Sequence, residues 1–446
     1  MNLFPHQSEA LKQTEGMNRV AFYHDMGLGK TFTGAEKMRQ LGARVNLVIC
    51  QKSKIADWIS HFVNYYNDDF LISNLTGKCE LEFFLIGKSN RIGIINYELA
   101  WRRPELLQLS DFTLMLDESS LIQNRKAKQT KFILKLQPKN VILLSGTPTS
   151  GKYENLWTQC RLLGWDISEA LYNRQYINWD TIYVGGGMKR RVVKRSDPYK
   201  NVDRLKSKMR EHGAMFLKTE ECFELPDQTF IDVNVPVSKE YRKFMKDSIV
   251  VVDDDELVGD TTLTKRLYSR QLCGQYSQAK FDAFRDLVQS TNDRLIVFYN
   301  FNAELEKLVG ECAELNRPVS IVSGQYKNLE AYEDQVDSVT FIQYQAGAMG
   351  LNLQKANKIV YFSLPERSEL FEQSKKRIHR IGQEKPCFYY VMRCRGSVED
   401  LIYETLKMRK DFTDELFRQN YFIDSRRSID AVDSVRNIKK QTETKN

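Results

Sequence analysis

The run Asp25-Met26-Gly27-Leu28-Gly29-Lys30-Thr31 follows the apolar stretch Val20-Ala21-Phe22-Tyr23 and precedes a helix-like segment, residues 32–41. Strand, glycine loop, Lys-Thr and helix together form a phosphate-binding arrangement. Gly27 and Gly29 let the backbone close on phosphate oxygens, and the free N–H groups of a helix start attract the anion. Lys30 is placed to reach the β and γ phosphates, and the Thr31 hydroxyl to ligate Mg²⁺. The usual pattern has a glycine five residues before the last one; His24 stands there.

A second apolar run, residues 112–116, ends in Asp117-Glu118. Two acids at a strand end suit magnesium and water activation, with Asp117 holding the ion and Glu118 acting as general base. The same Asp-Glu-Ser-Ser stretch would also suit a helix cap. A third run, residues 141–144, ends in Ser145-Gly146-Thr147-Pro148. A small hydroxyl motif beside the acidic pair can sense the nucleotide and couple its state onward. A plain tight turn is the other reading.

These motifs need parallel strands to bring them together. Short apolar runs at 45–50, 92–95, 112–116, 141–144, 295–299, 319–322, 340–342 and 358–362 read as buried strands. Their alternation with helical patterns implies βαβ units. They cluster before about residue 150 and after about residue 290, so the predicted fold is α/β, with two parallel-sheet lobes. The expected division is 1–235 for the first lobe, 236–424 for the second and 425–446 for a disordered polar tail. Residues 164–217 read as a helical, basic insertion on the first lobe. It holds Gly185-Gly186-Gly187, a flexible turn, then the run 188–195 with Lys189, Arg190, Arg191, Lys194 and Arg195. That run is either a solvated helical face or a phosphate-contacting surface. Asp253-Asp254-Asp255-Glu256 reads as a solvated acidic loop.

The chain has 446 residues, 42% apolar and 28% charged, with a net charge of +8. A basic balance favours polyanions. No uncharged apolar stretch reaches the length of a membrane span, and the first residues lack a secretion signal, so a cytoplasmic protein with no membrane partner is expected. Eight scattered cysteines without a Cys-x-x-Cys, and five histidines, imply neither a zinc site nor a disulfide framework.

Together the motifs resemble the Swi/Snf-type ATPases of helicase superfamily 2, in a compact bacterial or bacteriophage form, over roughly residues 3–406. Phe4-Pro5-His6-Gln7 resembles the adenine-reading motif, with Gln7 the reader. The stretch from Leu47 to Ser53, with Trp58 and Phe62, and the stretch Ile94-Ile95-Asn96-Tyr97-Glu98 resemble two further first-lobe motifs. They imply nucleic-acid contacts at Lys52, Ser53 and Tyr97, beside Arg190 and Arg191. Asp117-Glu118-Ser119-Ser120 is similar to the Asp-Glu-Ala-His box. In the second half, Gln345-Ala346-Gly347-Ala348-Met349-Gly350-Leu351-Asn352-Leu353 resembles the Ala-Gly-Gly-x-Gly-Leu-Asn-Leu motif. It implies Gly350 at the nucleotide and Gly347 at the nucleic acid. The run Gln373-Ser374-Lys375-Lys376-Arg377-Ile378-His379-Arg380-Ile381-Gly382-Gln383 resembles the arginine-finger motif with its Arg-Ile-Gly-Gln extension. Arg377 and Arg380, three apart on an expected helix, share a face.

The resemblance implies two RecA-like lobes, ATP and Mg²⁺ as cofactors, and movement along double-stranded DNA by a monomer. No protein partner is legible. Strand-separating helicase and ATP-gated nucleic-acid clamp are the competing functions. Lys376 departs from the Gly or Asp usual at its position, Ser119-Ser120 from Ala-His, and the family's Trp-Asn-Pro is missing near Leu364-Pro365-Glu366. Gln343-Tyr344 stands where small hydroxyl residues often touch DNA.

Overall fold

The computed structural model describes residues 3–184, 188–324, 326–344 and 351–417. Two seven-stranded sheets organise it. The first contains β1 (Arg19–His24), β2 (Val45–Cys50), β3 (Leu71–Asn74), β4 (Arg91–Asn96), β5 (Thr113–Asp117) and β6 (Asn140–Leu144). An antiparallel ribbon follows, β7 (Trp179–Val184) with β8 (Met188–Val193), and then β9 (Ala214–Leu217) closes the sheet. The order is β3-β4-β2-β5-β6-β1-β9, parallel throughout.

The second sheet opens with β10 (Gln228–Pro236). A small antiparallel pair comes next, β11 (Ile249–Val252) and β12 (Asp255–Val258). The rest are β13 (Leu295–Tyr299), β14 (Val319–Val322), β15 (Lys327–Asn328), β16 (Val339–Gln343), β17 (Lys358–Tyr361) and β18 (Cys387–Arg395). The order is β10-β18-β17-β13-β16-β14-β15, parallel except for β15.

The apolar runs form strands because both of their faces are covered. β2, β4 and β6 are buried along their whole length, as expected for a parallel sheet between two helical layers. Leu47, Ile49, Leu114, Leu116, Val141 and Leu143 pack on one face of the first sheet; Val48, Ile92, Ile94, Met115, Ile142 and Leu144 pack on the other. The second sheet divides in the same way, with Ile296, Phe298 and Ile342 opposite Val297, Tyr299 and Phe341.

Several expectations need correction. The eight predicted strands are present, but β9 lies inside the segment read as an insertion. Its Ala214, Met215, Phe216 and Leu217 pair with β1. β10 belongs to the second sheet, so the change of sheet falls between Leu217 and Gln228, earlier than 235. The segment has two helices, Glu169–Tyr176 and Val202–Glu211. Its basic run, however, is extended: Lys189, Arg190 and Arg191 stand on β8, where cross-strand pairing with β7 overrides the helical reading. The acidic loop is the turn between β11 and β12, with Asp253 and Asp254 at positive φ. Gly185-Gly186-Gly187 and the tail 425–446 lie outside the described residues. Among the described residues no helix is long and apolar enough to cross a membrane.

Candidate functional site

β5, β6 and β1 are neighbours, and their register aligns Asp117 with Leu144 and Leu144 with Phe22. Parallel strands point their carboxyl ends the same way. The loops after all three strands therefore open into one cleft: residues 25–30, Asp117-Glu118, and Ser145-Gly146-Thr147.

Gly29 caps the helix Lys30–Leu41 with φ +68°, a left-handed conformation that glycine adopts without strain. The helix has no acid in its first turn and no side-chain cap, which leaves its first N–H groups to an anion. Thr31 is half-buried in that turn. Lys30 Nζ donates to the carbonyls of His24 (2.8 Å) and Asp25 (3.2 Å). A side chain at position 146 would begin 3.4 Å from this ammonium, so Gly146 keeps that space open. His24, in the position of the missing glycine, is buried. Burial first, then Lys30 and His6, lower its pKa to about 3, so it stays neutral.

Gln7, the expected adenine reader, packs beside the glycine loop. Its side chain is 2% exposed. Nε2 donates to the carbonyls of Leu28 and Gly29, both at 3.2 Å, and Oε1 accepts from the Phe4 N–H at 2.9 Å. The carboxamide thus braces the glycine loop.

Asp117 is held at its carboxylate and at its backbone carbonyl. Trp58 Nε1 donates to Asp117 Oδ2 at 2.8 Å, and Tyr97 Oη donates to the Asp117 carbonyl at 2.8 Å. Glu118 has φ +52°, a strained value for a non-glycine residue. It sits at the cap position of the turn Ser119–Ile122, but its carboxylate makes no cap. Oε2 instead accepts from Ser145 Oγ at 3.4 Å. Burial raises both acids, Glu118 to about 7; Lys30 pulls it down, while Asp117 and Glu369 push it up.

The second lobe supplies the facing wall. Arg377 and Arg380 are not on a helix as expected. The helix Ser368–Lys375 ends first, and tight turns carry both arginines, with Arg377 N–H on the Ser374 carbonyl. Arg377 is 2% exposed and donates to the Leu351 carbonyl at 3.3 Å. Burial, then repulsion from Arg380, lowers its pKa to about 10, and Glu118 draws it back up. Arg380 Cβ lies 4.0 Å from where a Gly27 side chain would start. Four further contacts join the lobes. Lys376 Nζ contacts Asp25 Oδ2 at 2.9 Å and Glu220 Oε1 at 3.3 Å. Gln123 Nε2 reaches Glu369 Oε1 at 3.4 Å, and Ser368 Oγ donates to the Ser150 carbonyl at 2.8 Å.

The expected nucleic-acid residues separate. Lys52 and Ser53 are exposed just beyond β2, and Arg190 and Arg191 are exposed on β8. Tyr97 is not a surface contact: it is 1% exposed and its hydroxyl is held by Asp117. Gly347 and Gly350 lie outside the described residues. Trp58 was legible as part of a motif, but its bond to Asp117 was not. Glu369 gave no sequence signal.

The residues present fit a triphosphate with a divalent cation. Two buried acids are raised by burial, a condition that a cation would relieve. An uncapped helix start carries Lys30 and Thr31, and the Thr147 hydroxyl is buried with no partner. Another trio, Cys273, Cys394 and Glu399, lies close together in the second lobe. There both Glu399 oxygens already accept from the buried Lys280 ammonium, at 2.6 and 2.8 Å.

Residues 10–278 match the SNF2-related domain family, and residues 279–382 match the helicase conserved C-terminal domain. The chain is 21% identical to the mouse "SWI/SNF-related matrix-associated actin-dependent regulator of chromatin subfamily A member 1", over 90% of this chain and 42% of that protein. It is 22% identical to the Bacillus subtilis (strain 168) "Uncharacterized ATP-dependent helicase YqhH", over 92% of this chain and 80% of that protein. It is also 22% identical to the Saccharomyces cerevisiae "ISWI chromatin-remodeling complex ATPase ISW1", over 90% of this chain and 40% of that protein. The chain therefore spans about two fifths of the mouse and yeast proteins and four fifths of the Bacillus one.

Proposed function

Because the chain belongs to the SNF2-related family, we propose that it is an ATP-dependent translocase on double-stranded DNA. One observation carries the reading. Lys30, Asp117 and Glu118 of the first lobe face Arg377 and Arg380 of the second across one cleft, so the catalytic set is complete only with the lobes together. Bound ATP supplies the phosphoryl group, and Mg²⁺ the countercharge.

Lys30 exchanges its two carbonyl partners for phosphate oxygens. Thr31 and Asp117 would hold the cation, with Trp58 fixing the Asp117 carboxylate for that role. Glu118 takes the proton of the attacking water. Arg377 and Arg380 stabilise the charge that develops during transfer. Ser145 touches Glu118, and the segment that follows reaches the second lobe at Ser150, which gives nucleotide state a path to lobe position.

The DNA assignment is supported by exposed Lys52, Ser53, Arg190 and Arg191 and by the chromatin proteins among the relatives. Steady-state ATP hydrolysis with no nucleic acid, single-stranded DNA, duplex DNA and duplex RNA tests it. Stimulation chiefly by duplex DNA is expected. Stimulation chiefly by single strands or RNA overturns it.

A further inference from the structure

The ribbon β7–β8 has a feature that backbone gripping does not explain. Its far end carries exposed apolar side chains: Tyr183 is 72% exposed, Met188 68% and Ile182 45%. Clustered apolar exposure beside bases marks a binding surface. Between Trp179 and Val193 stand three bases, Lys189, Arg190 and Arg191, against one acid, Asp180, and Lys194 and Arg195 follow directly.

The pairing register sorts these side chains. Tyr183 lies opposite Lys189, and Thr181 opposite Arg191; these share one face. Ile182 lies opposite Arg190 on the other face, with Met188. Each face therefore offers a flat or apolar side chain next to a cation. The cations already favour aromatic faces: Lys189 Nζ lies 5.7 Å from the Tyr183 ring centre, and the Arg191 guanidinium 5.0 Å from that of Trp179.

The root of the ribbon sits at the seam between the lobes. Trp179 and Val193 pack on the first-lobe core. Ile177 bridges to Tyr199, whose ring stacks on Tyr153 at 4.4 Å. Tyr199 Oη donates to the Gly151 carbonyl (3.3 Å) and to Glu154 Oε2 (3.0 Å). Gly151 lies against the backbone of Arg409, on the second-lobe helix Val398–Phe417. Tyr199 and Gly151 thus link the root of the ribbon to the second lobe.

We propose that this ribbon is a prong for branched DNA, set between the two strands where a duplex opens. Tyr183 stacks on an unpaired base on one face and Ile182 with Met188 cover a base on the other, while Lys189, Arg190 and Arg191 hold the flanking phosphates. Aromatic rings accept any base plane, and cations accept any backbone, so the prong reads the fork and not its sequence. It rests on the reading of the chain as a DNA motor and adds the substrate class, a forked junction.

The test measures binding to a blunt duplex and to a fork with two single-stranded arms, with 2-aminopurine at the junction. Wild type binds the fork more tightly and quenches the probe. Tyr183→Ala loses that preference by at least about fivefold, the low end of base–aromatic stacking. It leaves the probe bright and duplex-stimulated ATP turnover unchanged, and Tyr183→Trp restores both fork signals. Equal fork and duplex affinities in wild type, an unaffected Tyr183→Ala, or an equal loss on both DNAs overturns the prong while leaving the motor reading intact. Absence of ATPase stimulation by every DNA overturns the motor reading instead.

Discussion

The Lys376 ammonium lies 2.9 Å from the Asp25 carboxylate, joining the arginine-bearing turn of the second lobe to the phosphate loop of the first. Both side chains are less than a fifth exposed. Asp25 also accepts from the Thr219 hydroxyl at 3.2 Å, and Glu220 is a second partner of Lys376. The lobes are therefore pinned beside the nucleotide cleft by a pair that salt screens weakly.

Lys376→Ala is expected to loosen this contact by about 1.5–3 kcal/mol, the worth of a hydrogen bond to a charged group. Energy transfer between dyes on the two lobes should fall without nucleotide. The pH dependence follows from the two shifts. Asp25 is lowered, so its contribution is present above its unfolded value and lost as pH falls through the folded one. Lys376 is raised, so its contribution is present below its unfolded value and lost as pH rises through the folded one. Contact should hold across the neutral range. An unchanged transfer signal in the variant refutes the pin.

Glu118→Gln should keep ATP binding and reduce turnover by about a hundredfold or more, the usual worth of a general base. Since the base must be ionised and its pKa is near 7, kcat/KM should fall on the acid side of about that pH. Ser145→Ala removes a donor that favours the carboxylate and should move this acid limb upward. In the free protein the sign for stability is opposite to that of a usual carboxylate. A raised Glu118 binds its proton more tightly folded than unfolded, so stability declines as pH rises from its unfolded value to about 7. A flat rate profile across that window rejects the assignment.

Trp58→Phe keeps the ring packing on Phe62 but deletes the N–H that holds Asp117. Partners of this kind tune metal affinity by about 10- to 100-fold. The Mg²⁺ concentration for half-maximal turnover should rise by about that factor, with little change in ATP affinity. A Mg²⁺ dependence equal to wild type excludes Asp117 as the oriented ligand.

The first-lobe site was largely legible, because its chemistry sits on loops whose flanking strands are uninterrupted apolar runs. Lys30, Asp117, Glu118 and Ser145 converge as their strand ends imply. Second-lobe positions were legible by type but not by conformation: the helix expected to carry Arg377 and Arg380 stops at Lys375, and Arg377 donates to the Leu351 carbonyl from a turn instead. Side-chain direction was the weakest link. Gln7 and Tyr97 have polar tips suited to ligands, yet backbone partners far along the chain claim them, and no local pattern encodes that choice. The ribbon was missed because Lys-Arg-Arg favours a helix in isolation, while pairing with Trp179 to Val184 decides otherwise.

Tyr97→Phe tests one such correction. It removes the hydroxyl on the Asp117 carbonyl, and stability should drop by about 1 kcal/mol. DNA affinity should be untouched, because the ring is buried. A loss of DNA affinity in a folded variant would return Tyr97 to the nucleic-acid surface.

Gly151→Ala probes the route from the nucleotide to the second lobe. Position 151 has φ +71°, and an added Cβ would fall 2.4 Å from the Arg409 carbonyl oxygen and 2.6 Å from its Cα. Neither is a flexible side-chain end, so the helix Val398–Phe417 must shift away. The left-handed backbone adds about 1–2 kcal/mol of strain. Lys30 and Glu118 stay in place, so ATP binding should persist, while the arginines of the second lobe lose their seat opposite them. Turnover should then fall at least about tenfold with KM for ATP nearly constant. Wild-type turnover in this variant would mean that the seam at Gly151 plays no part in bringing the catalytic residues together.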